Sequence, residues 1–93
     1  MVIFTYQLPK SLSFDNFAEV EADILNQLEG HNYDEIVLDA KETNYISSAG
    51  LRALVIGQKT ASSKGGKFTL INVNPVVMDI LHSTGFDKIL TIQ

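Results

Sequence analysis

Residues 44–55 (NYISSAGLRALV) join a short apolar stretch to a helix-like one and carry most of the information about the fold. Two hydroxyl residues, Ser47 and Ser48, stand at the junction and are followed by the small residues Ala49 and Gly50. Serine is a preferred N-cap residue, because its side-chain oxygen accepts a hydrogen bond from a free amide of the first helical turn. The junction therefore predicts a strand-like segment that turns directly into a helix.

Buried strands are predicted on both sides of this junction. Residues 36–38 (IVL) precede it and residues 68–71 (FTLI) follow it as short continuous apolar runs. Such runs are typical of strands that are buried on both faces, as in a parallel sheet. Between them, residues 48 to about 63 carry apolar side chains at helical spacing, and residues 64–67 (KGGK) form a turn that ends the predicted helix.

The N-terminal third predicts one strand and one helix. Val2, Phe4, Tyr6 and Leu8 alternate with Ile3, Thr5 and Gln7. This period of two, with its β-branched and aromatic residues, indicates a strand. Ser13 or Asp15 is the expected cap of the helix that follows. Apolar residues then recur at helical spacing until Gly30, where we expect the helix to end.

The C-terminal third predicts a helix and a last strand, and it completes the order β-α-β-α-β-α-β. Asn74 followed by Pro75 marks a helix start, Gly85 marks its end, and residues 89–92 form the last strand. Strands joined by single helices require right-handed crossovers. The sequence therefore predicts one α/β domain over residues 1–93, with a mainly parallel sheet of about four strands. Whether the helices cover one face of the sheet or both stays open.

Composition restricts the classes of function. The chain has 93 residues and a formal net charge of −4, which disfavours contact with nucleic acids or anionic lipid heads. It has no cysteine, so thiol chemistry, disulfides and cysteine-bound metals are excluded. No apolar run approaches the ~20 residues of a membrane span, and the N-terminus lacks the basic region of a signal peptide. We expect a cytoplasmic protein with no membrane insertion and no nucleic-acid partner.

Catalytic and metal chemistry have little support in the sequence. The two histidines, His31 and His82, have no further ligands spaced to join them in a metal site. A hydrolase built from Ser48, His82 and Asp39 is formally possible, but this serine does not lie in the G-x-S-x-G turn of such enzymes. We expect a protein that is not an enzyme and that holds no cofactor.

The paired serines allow two interpretations. In the first they are purely structural, with a serine as the cap and small residues that let strand and helix pack closely. In the second, the spare hydroxyl accepts a phosphate, which the free amides and positive dipole at a helix start accommodate. The added charge of about −1.5 to −2 is compatible with the helix but not with a partner surface packed against it.

Five segments match, in order and spacing, those of a known family: residues 36–39 (IVLD), 45–51 (YISSAGL), 65–68 (GGKF), 74–77 (NPVV) and 84–89 (TGFDKI). The chain resembles the STAS domain, the fold shared by bacterial anti-sigma factor antagonists and the cytoplasmic tails of sulfate transporters. The resemblance covers nearly the whole chain.

The resemblance implies a phosphorylation switch. In the family the first serine after an acid is phosphorylated, and that position is Ser48 here. The unphosphorylated antagonist binds a serine kinase that acts as an anti-sigma factor, and so frees the sigma factor. Phosphorylation by that kinase ends the binding, and a serine phosphatase resets the switch. Partner contacts are expected at Asn44, Tyr45, Ser47, Ala49, Gly50, Leu51, Arg52 and Ser13.

The chain departs from the family pattern in several places. Ser47 replaces the usual acid, which makes it a competing phosphorylation site. Arg52 stands where a small residue is common and adds a cation, and Ser13 stands where the family often has an aspartate. The N-terminus begins one strand later than in most members. We therefore expect a sheet without the family's first strand, which leaves an edge that must be shielded or paired.

A second hypothesis fits the same departures. The chain is then a STAS subunit or regulator of another assembly, such as a lipid-transport complex, that binds its partner without phosphorylation. The oligomeric state is open in both hypotheses.

Overall fold

A computed structural model describes all 93 residues of the chain. The chain forms six strands and three helices, and a short 3-10 helix, Phe86–Lys88, precedes the last strand. The strands are β1 (Ile3–Gln7), β2 (Ser11–Leu12), β3 (Glu35–Asp39), β4 (Tyr45–Ile46), β5 (Lys67–Ile71) and β6 (Thr91–Ile92). The helices are α1 (Phe17–Gly30), α2 (Ser48–Ser63) and α3 (Pro75–Thr84).

The main sheet has four strands in the order β1-β3-β5-β6, and every neighbouring pair is parallel. This confirms the predicted parallel sheet of about four strands. Its register places Phe4, Ile36 and Phe68 side by side in one row. Side chains of such a row point to the same face, and here that face is the one that the helices cover.

All three helices contribute to one hydrophobic core on a single face of this sheet. The expectation that residues 36–38 are buried on both faces is therefore wrong: Ile36 and Leu38 are buried, but Val37 is only half-buried. Val37 points to the face without helices, because side chains alternate along a strand. The helices contribute Val20, Ile24, Leu28, Leu51, Leu54, Ala61, Val77 and Leu81 to the core.

A second, two-stranded sheet was not predicted. It pairs β2 with β4 in parallel, Ser11 beside Tyr45 and Leu12 beside Ile46. Each strand is only two residues long, so neither has a period that a sequence pattern can show. Its strand β4 lies directly before α2 in the chain, and pairing with β2 sets the position of the helix start.

The predicted cap of the first helix was also wrong. Neither Ser13 nor Asp15 is the N-cap; α1 begins at Phe17 after Asn16, whose side chain makes no capping bond. The Asn16 amide instead holds the turn, with Oδ1 accepting from the Ser13 N–H at 2.8 Å and Nδ2 donating to the Ser11 carbonyl at 2.7 Å. The Ser13 carbonyl accepts from the N–H of Phe17, so the first turn is supported by the backbone.

The predicted boundaries of the third helix are confirmed. Asn74 Oδ1 accepts a hydrogen bond from the Val77 N–H at 2.9 Å, and Pro75 follows the cap. Gly85 ends the helix with a φ of 80°, in the left-handed region that favours glycine.

A hydrogen bond ties α1 to the outermost strand of the sheet. The Tyr6 hydroxyl donates to Asp23 Oδ2 at 2.8 Å. Partial burial, the hydrogen bond to Asp23 and the negative charges of Asp23 and Glu19 together raise the pKa of Tyr6 to about 12. The folded protein thus keeps this proton to higher pH than the unfolded chain, whose tyrosine pKa is about 10.

We expect the free energy of unfolding to fall as the pH rises from about 10 to about 12, because the unfolded chain releases the Tyr6 proton first. In the Asp23→Asn variant the pKa of Tyr6 should drop but stay above about 10, since burial is the largest cause of the shift. NMR titration of the Tyr6 ring carbons measures both values. A Tyr6 pKa near 10 in the wild type would contradict this contact.

Candidate functional site

The small sheet fixes the chain immediately before α2. The Asn44 N–H donates to the Lys10 carbonyl and the Ser47 N–H donates to the Leu12 carbonyl, each at 2.8 Å. These two bonds lie at either end of β4 and hold it against the loop that follows β1. The start of α2 is therefore positioned by residues more than thirty places earlier in the chain.

Polar contacts of the buried residue Thr43 also hold the chain just before β4. Thr43 is fully buried, and its hydroxyl donates to the Pro9 carbonyl at 2.8 Å. Asn74 Nδ2 donates to the Thr43 carbonyl at 2.7 Å while its Oδ1 caps α3. Asn74 thus connects the start of α3 to the segment that leads into α2.

The two serines of the junction have different environments. Ser47 is the N-cap of α2: its side chain is only 3% exposed, and its Oγ accepts from the Gly50 N–H at 3.2 Å. Ser48 is the first residue of the helix and is exposed. The sequence showed that one hydroxyl would be spare, and the structure assigns the cap to Ser47 and leaves Ser48 facing solvent.

The Ser47 hydroxyl is expected to contribute to stability, whereas that of Ser48 is not. Ser47→Ala should lower the free energy of unfolding by about 1 kcal/mol, because the Gly50 N–H loses its acceptor in a buried position. Ser47→Asp keeps an acceptor at the cap and should restore most of that loss.

Chemical denaturation of the three single variants measures this difference, with Ser48→Ala as the matched control on the neighbouring hydroxyl. Equal stability of Ser47→Ala and Ser48→Ala would contradict the assignment of Ser47 as the cap.

Like Ser47, three further residues that we expected at the contact surface lie beneath it instead. Ala49 is 7% exposed, Leu51 is 1% exposed, and Gly50 is buried. A Cβ at Gly50 would lie 2.7 Å from the carbonyl oxygen of Leu12, so only glycine fits between α2 and β2. These residues support the surface from below and do not form it.

Two aromatic side chains are exposed in and just after the strands of the small sheet, which leads into α2. Tyr45 is 49% exposed on β4, and Phe14 is 72% exposed in the loop that follows β2. Arg52 is exposed one helical turn after Ser48, on the same side of α2. We call Phe14, Tyr45, Ser48 and Arg52 the junction surface.

Sequence reasoning missed Phe14. The alternation of apolar and polar residues does not separate an exposed phenylalanine from Phe17, which lies three places later and packs against the core. The signal that was available is its position: Phe14 lies between Ser13 and Asp15, in a polar turn where a large apolar residue has no periodic partner.

The remaining predicted contact residues are placed nearby. Asn44 is exposed beside Tyr45, and Ser13 is half-buried. The Ser13 hydroxyl donates to Asp15 Oδ1 at 2.6 Å, and this bond lowers the pKa of Asp15 below its ordinary value. A carboxylate therefore stands in this loop, two residues after the position where the family often has an aspartate.

The side chains of the formally possible hydrolase have other partners. His82 Nδ1 pairs with Asp87 at 2.9 Å, which raises the pKa of His82. Hydrogen bonds from Asn72 and from the Lys41 N–H lower the pKa of Asp39. No cavity lies at Ser48 either. The cleft that the structure contains, of about 410 Å³, is lined by residues outside the segment 44–55.

A family profile identifies the family to which the chain belongs. The family profile of the STAS domain matches residues 2–93, nearly the whole chain. The chain belongs to the STAS domain family. In addition, none of the helices of this STAS domain is both long and apolar enough to cross a membrane.

Curated proteins of similar sequence are assigned as anti-sigma factor antagonists. BtrV of Bordetella bronchiseptica, assigned as an anti-sigma factor antagonist, is 30% identical over 77 residues, which are 83% of this chain and 66% of BtrV. The chain spans between half and two thirds of the length of the curated relatives that it matches.

Solved structures share the fold. The crystal structure of a Thermotoga maritima protein assigned as an anti-sigma factor antagonist has a TM-score of 0.82 at 27% identity, over 95% of this chain and 77% of that protein. The anti-sigma factor antagonist SpoIIAA in its unphosphorylated form has a TM-score of 0.83 at 14% identity, over 99% of this chain and 80% of SpoIIAA. SpoIIAA of Bacillus has also been solved in a phosphorylated form, with a TM-score of 0.73.

Proposed function

We propose that this STAS domain is an anti-sigma factor antagonist that works as a phosphorylation switch at Ser48. The unphosphorylated form binds a serine kinase that acts as an anti-sigma factor and so frees the sigma factor. Phosphorylation of Ser48 by the kinase ends that binding, and a serine phosphatase restores it. The observation that carries the proposal is the exposure of Ser48 beside a buried, capping Ser47.

The burial of Ser47 favours Ser48 over its neighbour as the phosphorylation site. A kinase requires the hydroxyl oxygen to be accessible, and the Ser47 Oγ is buried and bound to the Gly50 N–H. Phosphorylation of Ser47 would require the first turn of α2 to open. Ser48 needs no such change, because its side chain already faces solvent.

The local electrostatics let the fold tolerate a phosphate at Ser48. The first turn of α2 contains no acidic residue, and its dipole and free amides favour an anion. Arg52 stands four residues later on the same side of the helix, at the spacing of a helical ion pair. The phosphate therefore changes the surface charge by about −1.5 to −2 without disrupting the helix.

The same phosphate is incompatible with a partner packed on the junction surface. Exposed aromatic residues are typical anchors of protein interfaces; Tyr45 lies shortly before Ser48 in the chain, and Phe14 follows β2, the partner strand of β4. A closed interface over these residues removes water from Ser48. Arg52 alone does not balance a phosphate charge of about −1.5 to −2, and a poorly paired charge there costs at least a few kcal/mol, which is enough to end binding.

Phe14 tests this interface directly. Phe14→Ala should weaken binding to the anti-sigma kinase from the same genome by about 30-fold, equivalent to ~2 kcal/mol, as expected for an aromatic anchor. Its stability should be unchanged, because the side chain is 72% exposed. Isothermal titration calorimetry measures the affinity.

The control is Ile89→Ala, which removes an exposed apolar side chain from the segment before β6. Ile89→Ala should bind like the wild type. Equal losses in both variants would show that the affinity does not depend on the junction surface. Absence of binding by the wild-type chain to the anti-sigma kinase would contradict the proposed function itself.

A further inference from the structure

The outer edge of β1 has no strand paired with it. β1 is an edge strand of the main sheet, and it pairs on one side only, with β3. The Val2 carbonyl accepts from the Asp34 N–H, and the Leu8 N–H donates to the Asp39 carbonyl, so both residues face β3. Backbone groups alternate in direction along a strand. The N–H and C=O groups of Ile3, Thr5 and Gln7 therefore point away from the sheet.

This edge lacks the features that normally prevent pairing. Protein edge strands are protected by lysine, proline, bulges or a covering element. Residues 1–8 contain no charged side chain and no proline, and Pro9 and Lys10 come only after the strand. Met1, Val2 and Ile3 are 92%, 54% and 49% exposed. The edge thus offers both free backbone groups and apolar side chains to an incoming strand.

Acidic side chains lie beside this edge on the helix-covered face. Asp23 of α1 accepts from the Tyr6 hydroxyl of β1, and the negative charge of Glu19, one turn earlier, also acts on that hydroxyl. No basic residue lies within β1 or α1 to balance these charges.

We propose that the edge of β1 binds an extended segment of a partner protein that carries basic residues at alternate positions. Its backbone pairs with Ile3, Thr5 and Gln7, and its basic side chains lie on the face of Glu19 and Asp23. A second copy of this chain fits less well. Symmetric pairing of two β1 edges places the acidic side of α1 against its own copy, in a molecule of net charge −4.

The direct test is titration of the isotope-labelled 93-residue chain with two seven-residue peptides, followed by NMR. One peptide alternates valine with lysine and the other alternates valine with glutamate. The lysine peptide should shift the amide signals of Ile3, Thr5 and Gln7 and bind about tenfold more tightly than the glutamate peptide, equivalent to ~1.4 kcal/mol. No shift of these signals with the lysine peptide, or equal binding of both peptides, would overturn the proposal.

Two variants separate backbone pairing from charge. Thr5→Pro removes an outward N–H at a position where an edge strand tolerates proline, so it should abolish binding of the lysine peptide. The double variant Glu19→Gln and Asp23→Asn keeps the backbone edge and should bind both peptides with equal affinity. Retained lysine preference in the double variant would overturn the assigned role of the two acids.

Analytical ultracentrifugation of the peptide-free chain decides between the partner strand and a second copy. A monomer is expected. A dimer in the wild type that is lost in Thr5→Pro would show that β1 pairs with itself, which overturns the proposed partner.

Discussion

Ser48→Asp is expected to bind the anti-sigma kinase about 100- to 1,000-fold more weakly than the wild type, whereas Ser48→Ala binds with nearly unchanged affinity. A poorly paired carboxylate in a closed interface costs about 3–4 kcal/mol, and each 1.4 kcal/mol is about tenfold in affinity. Alanine removes a hydroxyl for which no intramolecular hydrogen bond is needed, since the cap is on Ser47. Isothermal titration calorimetry with the purified kinase measures both affinities.

The matched control for charge is Asn26→Asp, which adds one negative charge at an exposed position of α1. It should leave the affinity within about twofold of wild type, because exposed charges outside an interface contribute little. Equal affinities of Ser48→Asp and Ser48→Ala would contradict exclusion by charge. A loss in Asn26→Asp as large as that in Ser48→Asp would show that net charge is responsible and not the position.

Gly50→Ala is expected to cause the largest loss of stability among conservative changes at the site. The new Cβ would lie 2.7 Å from the Leu12 carbonyl oxygen and 2.8 Å from its Cγ, closer than real contacts allow. Overpacking of this kind costs about 3 kcal/mol, and alanine recovers about 1 kcal/mol through its higher helix propensity. We therefore expect a net loss of about 2 kcal/mol and a Tm lower by about 10 °C.

Gly30→Ala is the control for this prediction. Gly30 is the last residue of α1, and no atom lies within 4 Å of the position where its Cβ would be. The same substitution there should be neutral or stabilising by up to about 1 kcal/mol. A Gly50→Ala variant as stable as Gly30→Ala, measured by thermal unfolding, would contradict the close packing of α2 on β2.

Local signals in the sequence were sufficient to predict the main sheet and its helices. Asn74, Pro75 and Gly85 bound α3 because each acts through its own backbone geometry or a neighbouring amide, within a few residues. The order of strands and single helices then determined that the sheet is parallel. The helix boundaries depend on contacts that are close in sequence, and β1, β3 and β5 are each five residues long, which is enough for a pattern to reveal them.

Most of the features that sequence reasoning missed depend on contacts between residues that are distant in sequence, whereas the start of the first helix depends on a short-range side-chain contact. β2 and β4 pair across more than thirty residues, and neither is long enough to show a period. The first helix begins at Phe17 because the Asn16 side chain bonds back to the loop, a contact that residue type alone does not specify. Val37 is half-buried because all the helices pack on one face.

In the candidate site, too, some features could be predicted from the sequence and others depend on the folded chain. The sequence located the junction and its paired serines, but which serine is accessible depends on a backbone bond from Ser47 to Leu12 in another strand. With Ser47 held in this way, its hydroxyl caps α2, and the Ser48 side chain is exposed to solvent. The exposure of Phe14 depends equally on where its loop lies in the folded chain.

The most direct test of the switch is mass spectrometry of the chain after incubation with the anti-sigma serine kinase and ATP. We predict a single phosphate on Ser48, none on Ser47, and no modification of Ser48→Ala. Phosphate on Ser47 or elsewhere, or no phosphate although the kinase binds, would contradict the central claim. Binding without phosphorylation would instead support a STAS subunit of another assembly.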